Sequence, residues 1–227
     1  MKKKYLLVPA AGVCALAMML SMVSASSNNS NSKLISQSFD EMKVTIDKID
    51  KISAVQNQNL ASFDTLKVDV EDFIFYKANA QLVAKLKSTE VPSDQYLIDN
   101  MLKDKLTAYE AIQQGITVSD EEVQKEIDFQ RDVFENQMDL SSPEVQDIYD
   151  MMKNRIRITG LSEEEFWKAD FVKQGYKDAL LEGKLMNSLR GDDRTFETIE
   201  DFQKYKEELL TKYKDKVRLN LDVLNNI

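Results

Sequence analysis

Between Ser93 and Ile127 the chain spells a helix, a stop and a second helix start, and this spacing constrains the fold more than any other stretch. Ile98, Leu102, Leu106, Tyr109 and Ile112 step by three or four, which sets them on one face of a helix that has something to bury. Gly115 follows as the stop, because a helix end favours a residue that tolerates a left-handed backbone. Ser119 then lies three residues before Glu122. The serine can accept from the Glu122 amide while the glutamate reaches back to the serine amide, a reciprocal cap that starts the next helix.

The rest of the chain continues this helical reading. Six glycines and three prolines are few for 227 residues, and 43% apolar content is enough for a core, so long helices are favoured over a turn-rich β fold. Phe39, Met42, Ile46 and Ile49 suggest an amphipathic helix, either a stalk or an arm packed on the body. Phe75, Ala78, Leu82 and Leu86 mark another over 71–87, which Val91-Pro92 ends. Val123, Ile127, Phe134 and Met138 predict a helix from Asp120, and Ser142-Pro143 opens the next, with proline where its missing amide costs nothing. Gly160 ends that one, and Ser162 with Glu165 forms a second reciprocal cap before a long helix towards Leu189. Phe202, Tyr205, Leu209 and Tyr213 belong to a last helix. Two short period-two runs stand apart: Leu66, Val68, Val70, and Val217, Leu219, Leu221, Val223. Each needs a partner for its backbone groups, and the economical expectation is that they pair with each other. The fold class expected is therefore mainly α, with about six helices closed by a small two-stranded ribbon from the chain ends.

Three pieces of this sequence resemble the N-terminal domain of the SurA/PrsA family of extracytoplasmic chaperones: Leu102-Lys103-Asp104-Lys105-Leu106, Tyr109-Glu110-Ala111, and the run from Gly115 to Val123. Val68 to Phe73 is similar to that domain's first strand and helix entry, although the family's usual Val-Asn-Gly turn is missing. Phe202 to Leu219 is similar to its closing helix and strand. The resemblance implies a helical chaperone-type domain over 63–227. Larger members insert a parvulin prolyl-isomerase domain of on the order of 90 residues before the closing helix. Here only Gly191 to about Thr198 occupies that place.

Lys2, Lys3 and Lys4 precede an uncharged apolar run from Tyr5 to Val23, the pattern of an export signal, and Val23-Ser24-Ala25 has the small residues a signal peptidase reads. Residues 1–25 are read as a cleaved signal peptide or a retained membrane anchor, with 5–23 as the tether in the second case. Lipidation at Cys14, the only cysteine, is the weakest of the three readings. Residues 26–62 form a Ser/Asn-rich tether and the amphipathic helix. The expected location is outside the cytoplasmic membrane of a bacterium, secreted or anchored. Net charge is −9, and loss of the first 25 residues leaves 27 basic against 39 acidic groups, a net −12. A nucleic-acid partner is therefore not expected, since phosphate binding needs a basic face.

Residue types also narrow the chemistry. With no histidine and a single cysteine, the familiar histidine-based triads, zinc sites and thiol chemistry lack their parts. The acidic runs Asp120-Glu121-Glu122 and Glu163-Glu164-Glu165 fall in first helical turns, where they complement the helix dipole. No catalytic residue, metal site or cofactor is expected. What remains is a surface for unfolded or secreted polypeptides, captured without ATP. Phe129, Phe134, Met138, Tyr149, Met151, Met152 and Trp167 are the candidate peptide-binding group, because flexible methionine with aromatic residues suits varied apolar segments. The same residues follow helix spacing and would equally serve as core; if exposed, they would form an apolar groove with a negative rim. The alternatives to a holdase are a cell-surface scaffold for one folded partner and a residual prolyl isomerase.

Overall fold

A computed structural model describes residues 31–49, 59–192, 198–220 and 222. The chain is mainly helical with a small antiparallel sheet, in the order α1 (Ser32–Ile49), β1 (Asn59–Phe63), β2 (Leu66–Asp69), α2 (Val70–Lys87), α3 (Asp94–Gln113), α4 (Asp120–Asp132), α5 (Pro143–Thr159), α6 (Glu163–Lys168), α7 (Asp170–Asp192), α8 (Ile199–Tyr213) and β3 (Arg218–Leu219). The candidate signal segment 1–25 lies outside the described residues. Among the described residues no helix is long and apolar enough to cross a membrane.

The helix boundaries follow local chemistry. Ser119 and Ser162 make the reciprocal caps with Glu122 and Glu165, and Thr198 with Asp201 makes a third that starts α8. Gly115 and Gly160 sit at positive φ, 80° and 73°, where a β-carbon would be strained. Pro143 occupies the first turn of α5. One boundary differs from expectation. The long helix expected from Ser162 breaks at Ala169, whose backbone is extended, leaving α6 and α7. Phe166 and Trp167, adjacent within α6, are both buried, while α7 sets off from Ala169 in a new direction and buries Val172, Tyr176 and Leu185.

The expected pairing of the two terminal strands is corrected. The sheet order is β2-β1-β3, so the Leu66 and Leu219 strands never touch each other and both flank β1. β1 lies in the stretch read as tether. It escapes a period-two reading because a register irregularity between Asn59 and Ala61 buries Leu60 and Ala61 in succession. The chain ends of the body still meet in one sheet, as expected. Phe63, Tyr109 and Tyr213 seal it, with ring centroids 5.0–5.8 Å apart.

Three apolar clusters make the core. The first lies among α4 to α7, around Ile127, Phe166, Trp167 and Leu185. The second joins the sheet to α2, α3 and α8 through Val68, Phe73, Ile98 and Leu106. In the third, Ile35, Phe39 and Met42 of α1 meet Leu82 of α2 and Ile148 and Met151 of α5. α1 is thus an arm packed on the body. Its start is pinned by buried Asp147, which accepts from the Asn31 amide at 2.9 Å and from Asn31 Nδ2 at 2.6 Å. Of the face expected on α3, Ile112 is exposed, while Leu97, Ala108 and Ala111 are buried beside it because α3 is covered from several sides.

Between α3 and α8, the largely buried Glu110 accepts from Tyr213 Oη at 2.8 Å and from Lys212 Nζ at 3.1 Å. Burial opposes its charge, but these donors and Gln114 hold the carboxyl below the usual carboxylate range. A lowered folded pKa contributes stability above the ordinary value that is lost as pH falls through the folded one. Glu110→Gln is therefore expected to destabilise more at neutral pH than in acid, measured by urea unfolding. An equal loss at both would leave the carboxylate's charge without a role.

Candidate functional site

The residues singled out from sequence do not form one open groove. Phe134, Met151, Met152 and Trp167 are buried. Met151 belongs to the cluster under α1, and the other three to the cluster among α4 to α7. Met138 and Tyr149 are half-buried against this core, and Tyr149 stacks on Phe134 with centroids 5.0 Å apart. Phe129 alone of the seven is exposed, at 43%. Their helix spacing is used for packing, so of the two uses open to these residues, core or exposed groove, six of the seven serve the core.

An apolar concavity lies elsewhere. A cleft of about 360 Å³ opens between α2 and the first turns of α3, roofed by the linker at Thr89, Glu90 and Pro92. Its size sits at the small end for ligand sites. The sequence builds it in three steps. Outside a polar stripe of Lys77, Gln81 and Lys85, α2 carries mostly apolar or small residues from Phe73 to Leu86, so it needs cover on more than one side. Phe73 and Ile74 are covered by the sheet cluster and Leu82 by α1. Ala80 and Ala84 then present short side chains towards α3, while Ser88 in a left-handed conformation and Pro92 set the linker that keeps the helices apart there. Phe75, Tyr76 and Val83 stay half-buried as the wall, and Tyr96, 56% exposed, stands at the mouth. Lys87 and Glu90 line it with opposite charges.

Two polar features interrupt the apolar lining. Tyr76 hydrogen-bonds the Asn100 side chain, and burial, reinforced by the nearby Asp104 carboxylate, pushes its phenol up to about 12, so it is neutral at physiological pH. Asn79 is 6% exposed, and its Nδ2 donates to the Phe75 carbonyl at 2.6 Å. Its Oδ1 has no donor among the described residues. Behind this wall the Lys206 ammonium bridges Asp104 at 2.6 Å and Glu182 at 2.9 Å, joining α3, α7 and α8. Burial alone would depress Lys206, but the two carboxylates hold it above the ordinary lysine range. Burial raises the Glu182 carboxyl.

A second hollow, about 300 Å³, lies between α1 and α2 with a more polar lining. Its lysines are already engaged, Lys77 with Asp94 at 2.9 Å and Lys85 with Glu41 at 3.6 Å. Among the described residues no group of three or more His, Cys, Asp or Glu is placed to hold a metal ion.

Comparison of the chain with protein-family models, curated proteins and solved structures finds no match. The α2–α3 cleft could have been suspected from one signal, the narrowness of the polar stripe Lys77, Gln81 and Lys85 on a helix otherwise mostly apolar or small from Phe73 to Leu86.

Proposed function

We propose that this chain is an ATP-independent, extracytoplasmic holdase that captures apolar segments of unfolded or exported polypeptides in the cleft between α2 and α3. The observation that carries the reading is the cleft itself: an apolar wall of Phe75, Tyr76, Ala80 and Val83 left half-covered between α2 and α3. The resemblance of the α3–α4 stretch to the SurA/PrsA chaperone domain and the lysine-led apolar start of the chain support the same assignment. Capture of an unfolded client keeps it from aggregating by mass action, without covalent chemistry. Lys87 and Glu90 leave the mouth without a dominant charge, so selection there is by apolar fit.

Two unrelated denatured clients supply the test. The purified protein is expected to suppress the light scattering of both at near-stoichiometric ratio. Ala80→Lys lays a long stem along the cleft wall and should reduce suppression several-fold with little change in melting temperature, whereas Leu140→Ser, on an exposed side chain, should leave it unchanged. Absence of suppression by the unmodified protein, or full suppression by Ala80→Lys, would remove this reading.

The small volume of the cleft favours a second reading, a surface scaffold that accepts one anchor side chain from a single folded partner. Protection of neither client together with one partner bound at fixed stoichiometry would select it.

A further inference from the structure

Resting on the α2–α3 cleft as the binding site, we infer that Lys87 and Glu90 select what flanks the apolar anchor: the occupant is an extended polypeptide segment whose buried side chain has an acidic residue on one side, facing Lys87, and a basic residue on the other, facing Glu90.

The three lysines of α2 are not used alike. Lys77 holds Asp94 at 2.9 Å and Lys85 reaches Glu41 at 3.6 Å, whereas Lys87, the one that lines the cleft, has no hydrogen bond or ion pair from its side chain among the described residues. Glu90 lines the same cleft and has none either. The two make no pair with each other although they are close in sequence. The chain turns between them, with Ser88 left-handed at φ 54° and the Thr89 amide bonded back to the Ala84 carbonyl. Lys87 is half-buried and Glu90 exposed, so an incoming chain can meet both.

Charge complementarity then defines the occupant. In an extended chain the side chains at i−2, i and i+2 share one face, successive ones about 7 Å apart. With residue i in the cleft of about 360 Å³, the side chains two places before and after it come down on the rim. The rim offers one cation and one anion. Flanks of like charge meet one attraction and one repulsion, uncharged flanks leave both groups to solvent, and an acid with a base satisfies both. As net charge Lys87 and Glu90 cancel, so apolar fit still supplies the anchor; as two separate charges they read its neighbours. A lysine in a last helical turn is favoured by the helix dipole even with nothing bound, but that role is indifferent to the flanks of a ligand.

The experiment is calorimetric titration of the full chain with capped peptides of one core, acetyl-X-Leu-Phe-Leu-Z-amide, in which X and Z are two alanines, two aspartates, two lysines, or aspartate and lysine in either order. The tighter of the two mixed peptides is expected to bind about fivefold better than the other three types, the sum of two partly exposed ion pairs. Glu90→Lys should move the preference to the two-aspartate peptide and Lys87→Glu to the two-lysine peptide, each by a similar factor. A lysine that serves only the helix end would shift the melting temperature and leave the ranking as it was. Equal binding of all the peptides by the unmodified protein, or a ranking that neither variant changes, overturns the inference and leaves the cleft an apolar site. Should a variant fail to fold, salt decides: at about 1 M, where charges are screened within about 3 Å, the preference should shrink to less than about twofold, and its persistence would overturn the inference. If none of the peptides binds, or if the mixed peptide binds Ala80→Lys as tightly as the unmodified chain, the cleft assignment falls and takes this inference with it.

Discussion

Lys206→Met is expected to lower the unfolding free energy by about 3 kcal/mol at neutral pH, because removing one member of a buried ion cluster strands the others. The Lys206 side chain is 7% exposed and joins Asp104 of α3 and Glu182 of α7 to α8. Methionine replaces most of the stem volume, so the loss isolates the charge. Without the ammonium, two carboxylates face each other, and burial already raises Glu182. A carboxyl whose folded pKa is raised favours the folded state at low pH, and that advantage disappears as pH rises through the folded value. The deficit of the variant should therefore be largest near neutrality and shrink in mildly acidic buffer. Urea unfolding at the two conditions reads this directly. A loss below about 1 kcal/mol, the scale of exposed pairs, or one that does not change with pH would show that the cluster is solvated and does not tie the three helices.

Phe39→Ala should cost about 3–5 kcal/mol, the range for emptying a fully buried aromatic site. Phe39 is 1% exposed and belongs to the cluster of Ile35, Met42, Leu82, Ile148 and Met151, which draws on α1, α2 and α5. The magnitude decides between two uses of the same helix. A stalk residue exposed to solvent would change stability by no more than about 0.5 kcal/mol. A value of that size in chemical denaturation would mean that α1 leaves the body in solution. The larger value makes α1 part of the cooperative unit, and with it the Asn31–Asp147 contact that pins its start.

The helices were legible because their signals are local. Ser119 with Glu122, Ser162 with Glu165, Gly115, Gly160 and Pro143 each act within a few residues, and each marks an observed boundary. The break at Ala169 was not legible, since nothing in Trp167-Lys168-Ala169-Asp170 disfavours helix by itself and the change of direction is set by packing. β1 was hidden because its irregular register destroys the alternation on which strand recognition depends.

The candidate site shows the sharper division. Amino-acid order alone determined that this is a helical chain with a small sheet, that its caps and stops lie where they do, and that it contains no histidine. It also determined that more apolar helical surface exists than one side of each helix can use. Which surface stays open was decided only by tertiary structure. Met151, Met152, Phe134 and Trp167 found neighbours in α1 and α7 and became core, while α2, mostly apolar outside its Lys77, Gln81 and Lys85 stripe, was covered by α1 and the sheet and left half-covered where α3 begins. The physical reason is that periodicity sets the direction of a side chain relative to its own helix axis, whereas exposure depends on which other helix arrives there, a long-range outcome that no local spacing encodes.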